Sequence, residues 1–255
     1  MSLLKVESLT VRYGSVEAVR GVSFEVGKGE VVCLVGESGS GKSTVLRAIG
    51  GLLPPEASAD GSVLFLGKNL LKLPKKELDA LRGNQIGFVF QEPSLYLDPL
   101  FKVGDQVAET CFIHHPDRDC RRQALLSLEK VGVEDPVRVY NSYPHQLSGG
   151  LKQRVNVADA TVNGPLLLLA DEPTTALDVS TQKVVLALFR RLKEEGSSIL
   201  FVTHDFGVVW EIADRVVVLK DGRVVEEGSV FDLYREPKHP YTRKLVSIFK
   251  ELAEF

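Results

Sequence analysis

The chain has 255 residues and a formal net charge of −3. This length suits one large α/β domain or two small ones, and we favour one domain that carries an inserted subdomain. The lack of a basic excess argues against nucleic acid as the main partner. The three cysteines have no metal-ligand spacing, and an odd number without a disulfide framework suits a reducing cytosol.

Two features bear on the membrane. The first five residues do not have the shape of a signal peptide, and no apolar run approaches the roughly 20 residues that a membrane span needs. A protein of this kind that works at a membrane is therefore expected to act from the water side.

Residues 3 to 26 alternate between apolar and polar side chains, which predicts antiparallel strands covered on one face. The turn between these strands carries Tyr13. Its ring either packs across the strands or offers a stacking surface for a base, and both interpretations are open at this point.

A glycine-rich segment then follows the apolar run 30–35 and precedes the helix-like run 45–49. In a strand-turn-helix arrangement, glycines let successive N–H groups point inward and the helix start adds its positive dipole end, so a polyphosphate fits. Lys42 would reach the outer phosphates and Ser43 would face Mg²⁺. The alternative, a flexible turn, is disfavoured by the flanking elements. The predicted phosphate-binding residues are Gly36, Glu37, Ser38, Gly39, Ser40, Gly41, Lys42, Ser43 and Thr44.

The middle of the chain changes from mixed to helical patterning. We predict a loop over 54–61, a strand over 62–66, a helix over 74–82, a strand over 85–90 and a surface loop over 92–99. Residues 100–162 have helix-like spacing, and strands resume only at Leu166. The helical block is therefore predicted to be an insertion between two strands of the core sheet.

Beyond Leu166 the pattern alternates between strand and helix. A helix is predicted from about Ser180 to Glu195, with Val184, Leu188 and Leu192 on one face. The tail after the last strand is predicted to form two short helices. The predicted strands cover 166–170, 198–203, 215–219 and 223–226, the last two as a hairpin.

Polar residues follow four of the predicted core strands. Ligands of open parallel sheets bind beyond the carboxyl ends of the strands. Singly, each polar residue has an ordinary explanation as a solvent-facing cap. Together they place an amide, two carboxylates and an imidazole around the phosphate-binding segment. The four strand ends are Gly36 with its loop, Gln91, Asp171-Glu172 and His204.

Phosphoryl-transfer chemistry gives these residues expected roles. Asp171 would join Ser43 in binding Mg²⁺. Glu172 would polarise the water that attacks the γ-phosphate. Gln91 would contact metal-bound water and the attacking water, and His204 would hold the γ-phosphate.

A second glycine-rich segment, Leu147 to Arg154, precedes the acidic pair. Ser148 suits a helix N-cap, and the N–H groups of Gly149 and Gly150 suit an anion. One small domain has little use for two phosphate-binding segments that face one nucleotide. Two copies arranged head to tail can each sandwich ATP between the first segment of one copy and the second segment of the other.

The chain resembles the ATP-binding subunits of ABC transporters over nearly its whole length, because its motifs occur in the same order. That order is the phosphate-binding segment, Gln91, the second glycine-rich segment, Asp171-Glu172, Ala176-Leu177-Asp178 and His204. The resemblance implies an α/β fold: a P-loop NTPase (RecA-like) core with an antiparallel β subdomain and an inserted α-helical subdomain. The corresponding division is a core over 1–91 and 163–235, a helical signature subdomain over 92–162 and a short tail over 236–255.

The resemblance also implies a dimer closed by two ATP molecules. Tyr13 would stack on adenine. Ser148, Gly149 and Gly150 would reach the γ-phosphate across the interface. Asp178 would pass signals between the two sites. The second ATP-binding subunit is either a copy of this chain or a related one.

Shorter motifs are similar to the oligopeptide and dipeptide importer branch of the family. This similarity implies a subunit at the cytoplasmic face of the membrane that hydrolyses ATP to drive uptake of peptides, or of solutes such as sugars or nickel. Its partners would be transmembrane permease subunits and a separate solute-binding protein, with no nucleic acid. The motifs are Phe90-Gln91-Glu92-Pro93, Tyr143-Pro144-His145-Gln146, the segment 172–179 and His239-Pro240-Tyr241-Thr242.

By resemblance, the permease docks near residues 91–99, where Leu95, Tyr96 and Leu97 offer an apolar surface; simple loop packing is the alternative. The chain departs from the family at Asp159, where Met, Leu or Arg is usual. Because a buried unpaired carboxylate is costly, we expect this side chain to be exposed or paired.

Two other functions are open. The first is a soluble ABC ATPase that acts on nucleic acid or protein assemblies; relatives of that kind carry coiled-coil or zinc insertions or two cassettes, and this sequence has one cassette and neither insertion. The second is a regulatory nucleotide-binding protein with little hydrolysis, which the presence of Glu172 and His204 makes less attractive.

Overall fold

The computed structural model describes residues 2–175 and 177–253, which fall into two compact units. The first unit covers Met1–Pro74 and Ser198–Phe255, and the second covers Lys75–Ser197. These boundaries differ from the three-part division expected from the sequence, which stays a prediction. No helix within the described residues is long and apolar enough to cross a membrane.

Strands predominate in the first unit and helices in the second. The amino-terminal part of the first unit contains β1 (Ser2–Tyr13), β2 (Val16–Gly27), β3 (Val31–Val35), α1 (Lys42–Ile49), β4 (Ala57–Phe65) and β5 (Lys68–Asn69). The second unit contains α2 (Lys75–Leu81), β6 (Ile86–Val89), α3 (Pro93–Tyr96), α4 (Val103–His114), α5 (Cys120–Lys130), α6 (Pro136–Tyr140), α7 (Gly149–Thr161), β7 (Leu167–Asp171) and α8 (Val179–Glu194). The carboxyl-terminal part of the first unit contains β8 (Ser198–Thr203), α9 (Phe206–Ile212), β9 (Arg215–Lys220), β10 (Arg223–Ser229), α10 (Val230–Arg235) and α11 (Pro240–Ala253).

The first unit contains an antiparallel sheet with the strand order β2-β1-β4-β5. The two strands predicted from the alternation over 3–26 are confirmed, and their inward residues form a buried face. The loop predicted over 54–61 is wrong in its second half. Strand β4 begins at Ala57, and residues 57–60 pair with Thr10–Tyr13 of β1. Pairing with β1 therefore outweighs the weak strand propensity of this segment.

The same unit contains strands in the order β10-β9-β3-β8. Strand β3 lies parallel to both β8 and β9, and β9 and β10 form the predicted antiparallel hairpin. Every residue of β3 and β8 is buried, as expected of strands covered on both faces. Two helices, α10 and α11, form the tail as predicted.

In the second unit β6 and β7 pair in parallel, and helices α4 to α7 occupy the block predicted to be helical. The surface loop predicted over 92–99 contains a short helix, α3, so that prediction is wrong for its first half. Pro93 opens this helix, since the fixed φ angle of proline suits the first helical turn.

Helix α8 begins and ends within a residue of its predicted bounds, but its buried face is rotated. Val184 is 44% exposed, so the buried face of the helix does not include it, although its spacing groups it with Leu188 and Leu192. Val185, Leu188 and Leu192 form the inward stripe, together with Phe189. Spacings of three and four residues fit this stripe as well as the predicted one, so periodicity alone did not decide between them.

Cys111 and Cys120 form a disulfide bond, with Cα atoms 5.5 Å apart. The expectation of a chain without a disulfide framework is therefore wrong. Cys111 lies in α4 and Cys120 opens α5, so the turn between the two helices brings them together, and their spacing in sequence carries no motif that shows this. Cys33 is free and buried in β3, as predicted, and its burial raises the pKa of the thiol.

Candidate nucleotide-binding site

The loop between β3 and α1 allows no side chain at its first residue. A Cβ atom on Gly36 would lie 2.2 Å from the carbonyl oxygen of Leu219 and 2.7 Å from Oγ of Ser40. Gly41 has a φ of +100°, and a Cβ there would lie 2.7 Å from the carbonyl oxygen of Ala18. These close approaches keep the loop backbone bare, as a phosphate-binding loop requires.

Lys42 opens α1 with its ammonium group turned back over the loop. Its Nζ donates hydrogen bonds to the carbonyl oxygens of Gly36, at 2.8 Å, and Glu37, at 2.9 Å. The side chain is 4% exposed, so the positive charge is held within the loop. Oγ of Ser40 is buried and has no hydrogen-bond partner among the described residues. A cation and an unsatisfied hydroxyl inside a bare backbone loop fit a phosphate group.

Two segments distant in sequence brace this loop. The N–H of Gly222, in the β9–β10 turn, donates to the carbonyl oxygen of Ser40 at 3.1 Å. The N–H of Glu37 donates to Oη of Tyr241 at 2.7 Å. Sequence reasoning missed this contact. The only signal was the motif 239–242, which we used as a branch marker and not as part of the site.

His204 follows β8 in the first unit. The parallel register aligns Val35 with Thr203, so Gly36 and His204 leave neighbouring strands at the same edge. His204 is exposed there. Tyr13 ends β1 and is half-buried, paired with Val16 and Ala57. The structure thus brings His204 to the strand end that carries the phosphate loop, and places Tyr13 at the end of a strand of the antiparallel sheet.

The second unit aligns its own candidate residues at a strand edge. Val89 pairs with Ala170 in the parallel β6–β7 ladder, so Gln91 and the acidic pair follow at the same end. Asp171 is buried. Glu172 is half-buried, has a φ of 43°, and accepts a 2.9 Å hydrogen bond from Oγ1 of Thr175. A positive φ is unusual for a glutamate and fixes the direction in which the chain turns after Asp171.

Asn156 of α7 was not predicted as a site residue. Its side-chain amide donates to the carbonyl oxygen of Phe90 at 2.8 Å and accepts from the N–H of Phe90 at 3.5 Å. Phe90 immediately precedes Gln91, so the helix that follows the second glycine-rich segment also holds the start of the Gln91 segment. No local pattern signals this pairing, because the residues are 66 positions apart.

Ser148 is the N-cap of α7, as predicted, and its Oγ accepts the N–H of Leu151 at 3.3 Å. Ser148 and Gly149 are exposed. Gly150 faces α8, where a Cβ atom would lie 2.6 Å from Cγ2 of Thr181. The second glycine-rich segment therefore exposes Ser148 and Gly149 to solvent, and its Gly150 packs against the start of α8.

Asp178 caps α8. It accepts hydrogen bonds from the N–H of Thr181, at 3.0 Å, and from Oγ1 of Thr181, at 2.6 Å, and a further one from Oγ of Ser180. These bonds, led by the one from Ser180, hold the pKa of Asp178 below its usual range. Because Thr181 also contacts Gly150, the structure brings Asp178 close to the second glycine-rich segment within one unit.

Asp159, which departs from the family pattern, is hydrogen-bonded and not ion-paired. Oγ1 of Thr110 donates to its carboxylate at 2.6 Å, and no salt bridge involves it within residues 2–175 and 177–253. Desolvation raises the pKa of Asp159 to about 6, Thr110 opposes the shift and the neighbouring Glu109 adds to it. The Asp159 carboxyl therefore takes up its proton at a higher pH than an ordinary aspartate does.

Comparison with known proteins gives the family. Residues 19–175 match the family described as ABC transporter. The chain is 44% identical over 254 residues to the oligopeptide transport ATP-binding protein OppD of Bacillus subtilis (strain 168), covering 96% of this chain and 71% of that relative. It is 43% identical to the dipeptide transport ATP-binding protein DppD of the same organism, covering 96% of this chain and 76% of the relative.

A solved structure shares the fold. It is a dimeric post-hydrolysis state of the ATP-binding cassette MJ0796 bound to ADP and Pi, with a TM-score of 0.79 and 35% identity, covering 89% of this chain and 98% of that one. This chain belongs to the ABC transporter family. It is a nucleotide-binding ATPase, and the predicted P-loop NTPase core with a β subdomain and a helical insertion is confirmed. The roles of the individual site residues stay predictions.

Proposed function

We propose that this chain hydrolyses ATP to power uptake of dipeptides, oligopeptides or related solutes through a membrane-embedded permease. The observation that carries the proposal is the identity of 43–44% with OppD and DppD across 96% of the chain. Both relatives are named as peptide transport ATP-binding proteins. The phosphate loop braced within the first unit supports the nucleotide-binding part of this function.

The residues that would hold nucleotide and metal are of the expected chemical types. Lys42 supplies a cation for the outer phosphates, and Tyr13 supplies a ring for adenine. Ser43, Gln91 and Asp171 offer hydroxyl, amide and carboxylate oxygens, which suit Mg²⁺. Bound Mg²⁺ would neutralise charge on the phosphates. No cluster of three or more His, Cys, Asp or Glu side chains suited to a metal occurs in the described residues.

Glu172 would act as the base. Its carboxylate is held by Thr175 at the end of a buried strand, where it would polarise an attacking water. Gln91 and His204, each at a strand end, would position that water and the γ-phosphate. Turnover would then require the carboxylate of Glu172, whereas ATP binding would not.

The exposed second segment would serve a partner's nucleotide. Ser148 and Gly149 face solvent at a helix start, and Asp178 lies near them through Thr181. A second ATP-binding subunit, identical or related, would place its triphosphate against this segment. The dimeric state of the cassette MJ0796 supports such pairing.

The permease would dock on the second unit from the cytoplasmic side, with a solute-binding protein on the other side of the membrane. Leu95, which is 75% exposed, and Tyr96, which is 52% exposed, lie in α3. Leu97 is buried, so the expectation that it joins this surface is wrong. Tyr96 also lines a groove of about 800 Å³, in which the rings of Phe101 and Phe112 alternate with acidic side chains such as Asp98 and Glu109. Apolar groups beside a groove suit an amphipathic segment of a membrane protein.

Replacing Glu172 by Gln tests the enzymatic part. We expect ATP affinity to stay within about twofold and turnover to fall at least about 100-fold, because the base is lost while the shape is kept. Glu129→Gln, which removes an exposed carboxylate from α5, should leave both unchanged. Near-normal turnover of Glu172→Gln would remove Glu172 from the mechanism.

Purification from solubilised native membranes tests the transport part. It should yield the chain together with hydrophobic partners, and nucleic-acid-stimulated turnover without those partners would contradict the transport role.

A further inference from the structure

The carboxyl-terminal tail touches the phosphate loop through one buried tyrosine. Oη of Tyr241 accepts the N–H of Glu37 at 2.7 Å, across 204 positions of sequence. Tyr241 is 6% exposed. Glu37 is the second residue of the loop, and its carbonyl oxygen accepts a hydrogen bond from Nζ of Lys42 at 2.9 Å. The peptide groups on both sides of Glu37 are therefore fixed, one by the tail and one by the phosphate-binding lysine.

The tail holds this tyrosine in place with its own polar contacts. The carboxylate of Glu226, in β10, accepts the N–H groups of Lys238 at 2.7 Å and His239 at 2.9 Å. Nδ1 of His239 in turn accepts the N–H of Tyr241 at 3.1 Å. The residues before α11 are thus fastened to the first unit, and the motif 239–242 directs one side chain to the loop.

The ring of Tyr241 is fixed as well. Nζ of Lys220, at the end of β9, lies 5.2 Å from the ring centroid. Desolvation raises the pKa of Tyr241, so its hydroxyl stays protonated at neutral pH. Strand β9 also supplies the Leu219 carbonyl that approaches Gly36. One strand end therefore contacts both the loop and the tyrosine that braces it.

From these contacts we propose that Tyr241 is a positioning residue for nucleotide binding, through which the tail sets the affinity of the phosphate loop for ATP. The hydrogen bond to Glu37 selects the loop conformation in which the remaining N–H groups are available to phosphate. When a binding-competent state is only partly populated, the apparent affinity falls by that fraction. This inference rests on the proposed nucleotide-binding function and adds a regulatory role for the tail.

The test compares Tyr241→Phe with wild type in the full chain. The phenylalanine keeps the ring and its contact with Lys220 but removes the acceptor for the Glu37 N–H. We expect the KM for ATP to rise about 3- to 10-fold, the effect of one hydrogen bond, with kcat within about twofold. Without nucleotide, hydrogen exchange at the Glu37 amide should become at least about tenfold faster.

Tyr234→Phe is the matched control. Tyr234 lies in α10, just before residues 236–255, and its ring contacts Trp210 and Phe249. Removing the hydroxyl of Tyr234 should leave the KM for ATP and the exchange rate of the Glu37 amide unchanged. A merely structural role for Tyr241 would lower the melting temperature and the active fraction without moving the KM.

Unchanged KM and unchanged exchange at Glu37 in Tyr241→Phe would overturn the inference while leaving ATP hydrolysis intact. Failure of the wild-type chain to bind or hydrolyse ATP would overturn the proposed function instead. The hydrogen-exchange measurement uses nucleotide-free protein. It therefore tests the hydrogen bond between Tyr241 and Glu37 whether or not the chain binds ATP.

Discussion

The two glycine-rich segments of this chain have opposite surroundings. Residues 36–44 lie against the β9–β10 turn and the tail, with Gly36 buried and Lys42 bonded to the loop carbonyls. Residues 148–150 begin a helix, with Ser148 and Gly149 exposed and only Gly150 packed against α8. The first segment is a braced site, whereas the second is a helix start presented to solvent.

This difference suggests a division of labour. A loop held by its own unit can bind triphosphate before any partner arrives, because its backbone is already arranged. A helix start with open space in front of it gains a ligand only when another molecule brings one. Changes in the first segment should therefore affect binding of ATP, and changes in the second should affect steps that need a second subunit.

Gly36→Ala should have the largest effect. The added methyl group would lie 2.2 Å from a backbone carbonyl oxygen, so the loop or β9 must shift. We expect the loss of about 3 kcal/mol or more of unfolding free energy and at least about a 100-fold loss of ATP affinity. Calorimetric titration measures the ATP affinity, and urea unfolding measures the unfolding free energy. Gly149→Ala has open space around its new methyl group and should keep the ATP affinity and stability of the wild type. Equal losses in the two variants would contradict the claimed difference between the two segments.

Asp159→Asn tests the helix that carries the second segment. The folded-state pKa of about 6 exceeds the usual 3.8, so the protonated form is favoured and wild-type stability falls as pH rises through 6. Asparagine keeps an acceptor for Thr110 without the charge. The variant should match wild type near pH 4 and be about 2–3 kcal/mol more stable at pH 8, measured by urea unfolding. No gain at pH 8 would contradict the raised pKa.

Asn156→Ala tests how the same helix holds the Gln91 segment. Removing the amide leaves both polar groups of Phe90 without their side-chain partner, which should cost about 1–3 kcal/mol. Urea unfolding measures the loss, and turnover should fall more than ATP affinity. Asn141→Ala, at an exposed site on the same unit, should have a smaller effect. Comparable losses in both variants would show that the contact with Phe90 has no special role.

Ser148→Ala should have the smallest effect on stability. Loss of the N-cap typically costs about 1 kcal/mol. We nevertheless expect turnover of the assembled transporter to fall about tenfold, while ATP affinity of the isolated chain stays unchanged, because the hydroxyl would contact only a partner's nucleotide. An ATPase assay of the assembled transporter measures turnover, and calorimetric titration of the isolated chain measures ATP affinity. Weaker ATP binding by the isolated chain would place Ser148 at its own nucleotide.

The sequence predicted what local patterns encode. The strand-loop-helix at 30–49, the N-cap at Ser148 and the buried strands each follow from periodicity or turn chemistry. The contacts of Tyr241 with Glu37 and of Asn156 with Phe90 were missed, because hydrogen bonds across 204 and 66 positions leave no trace in spacing. The Cys111–Cys120 bond and the exposure of Val184 depend on how helices pack, which periodicity leaves undecided.

The most direct test counts ATP-binding subunits. Tagged Glu172→Gln chain, captured from solubilised native membranes, is analysed by native mass spectrometry with and without ATP and again with Ser148→Arg added. The account predicts that two ATP-binding chains, identical or related, are held together by ATP, and that Ser148→Arg abolishes the effect of ATP on this pairing. An ATP-independent pairing, a single ATP-binding chain, or an ATP effect that survives Ser148→Arg would contradict the claim that the exposed segment completes a partner's site.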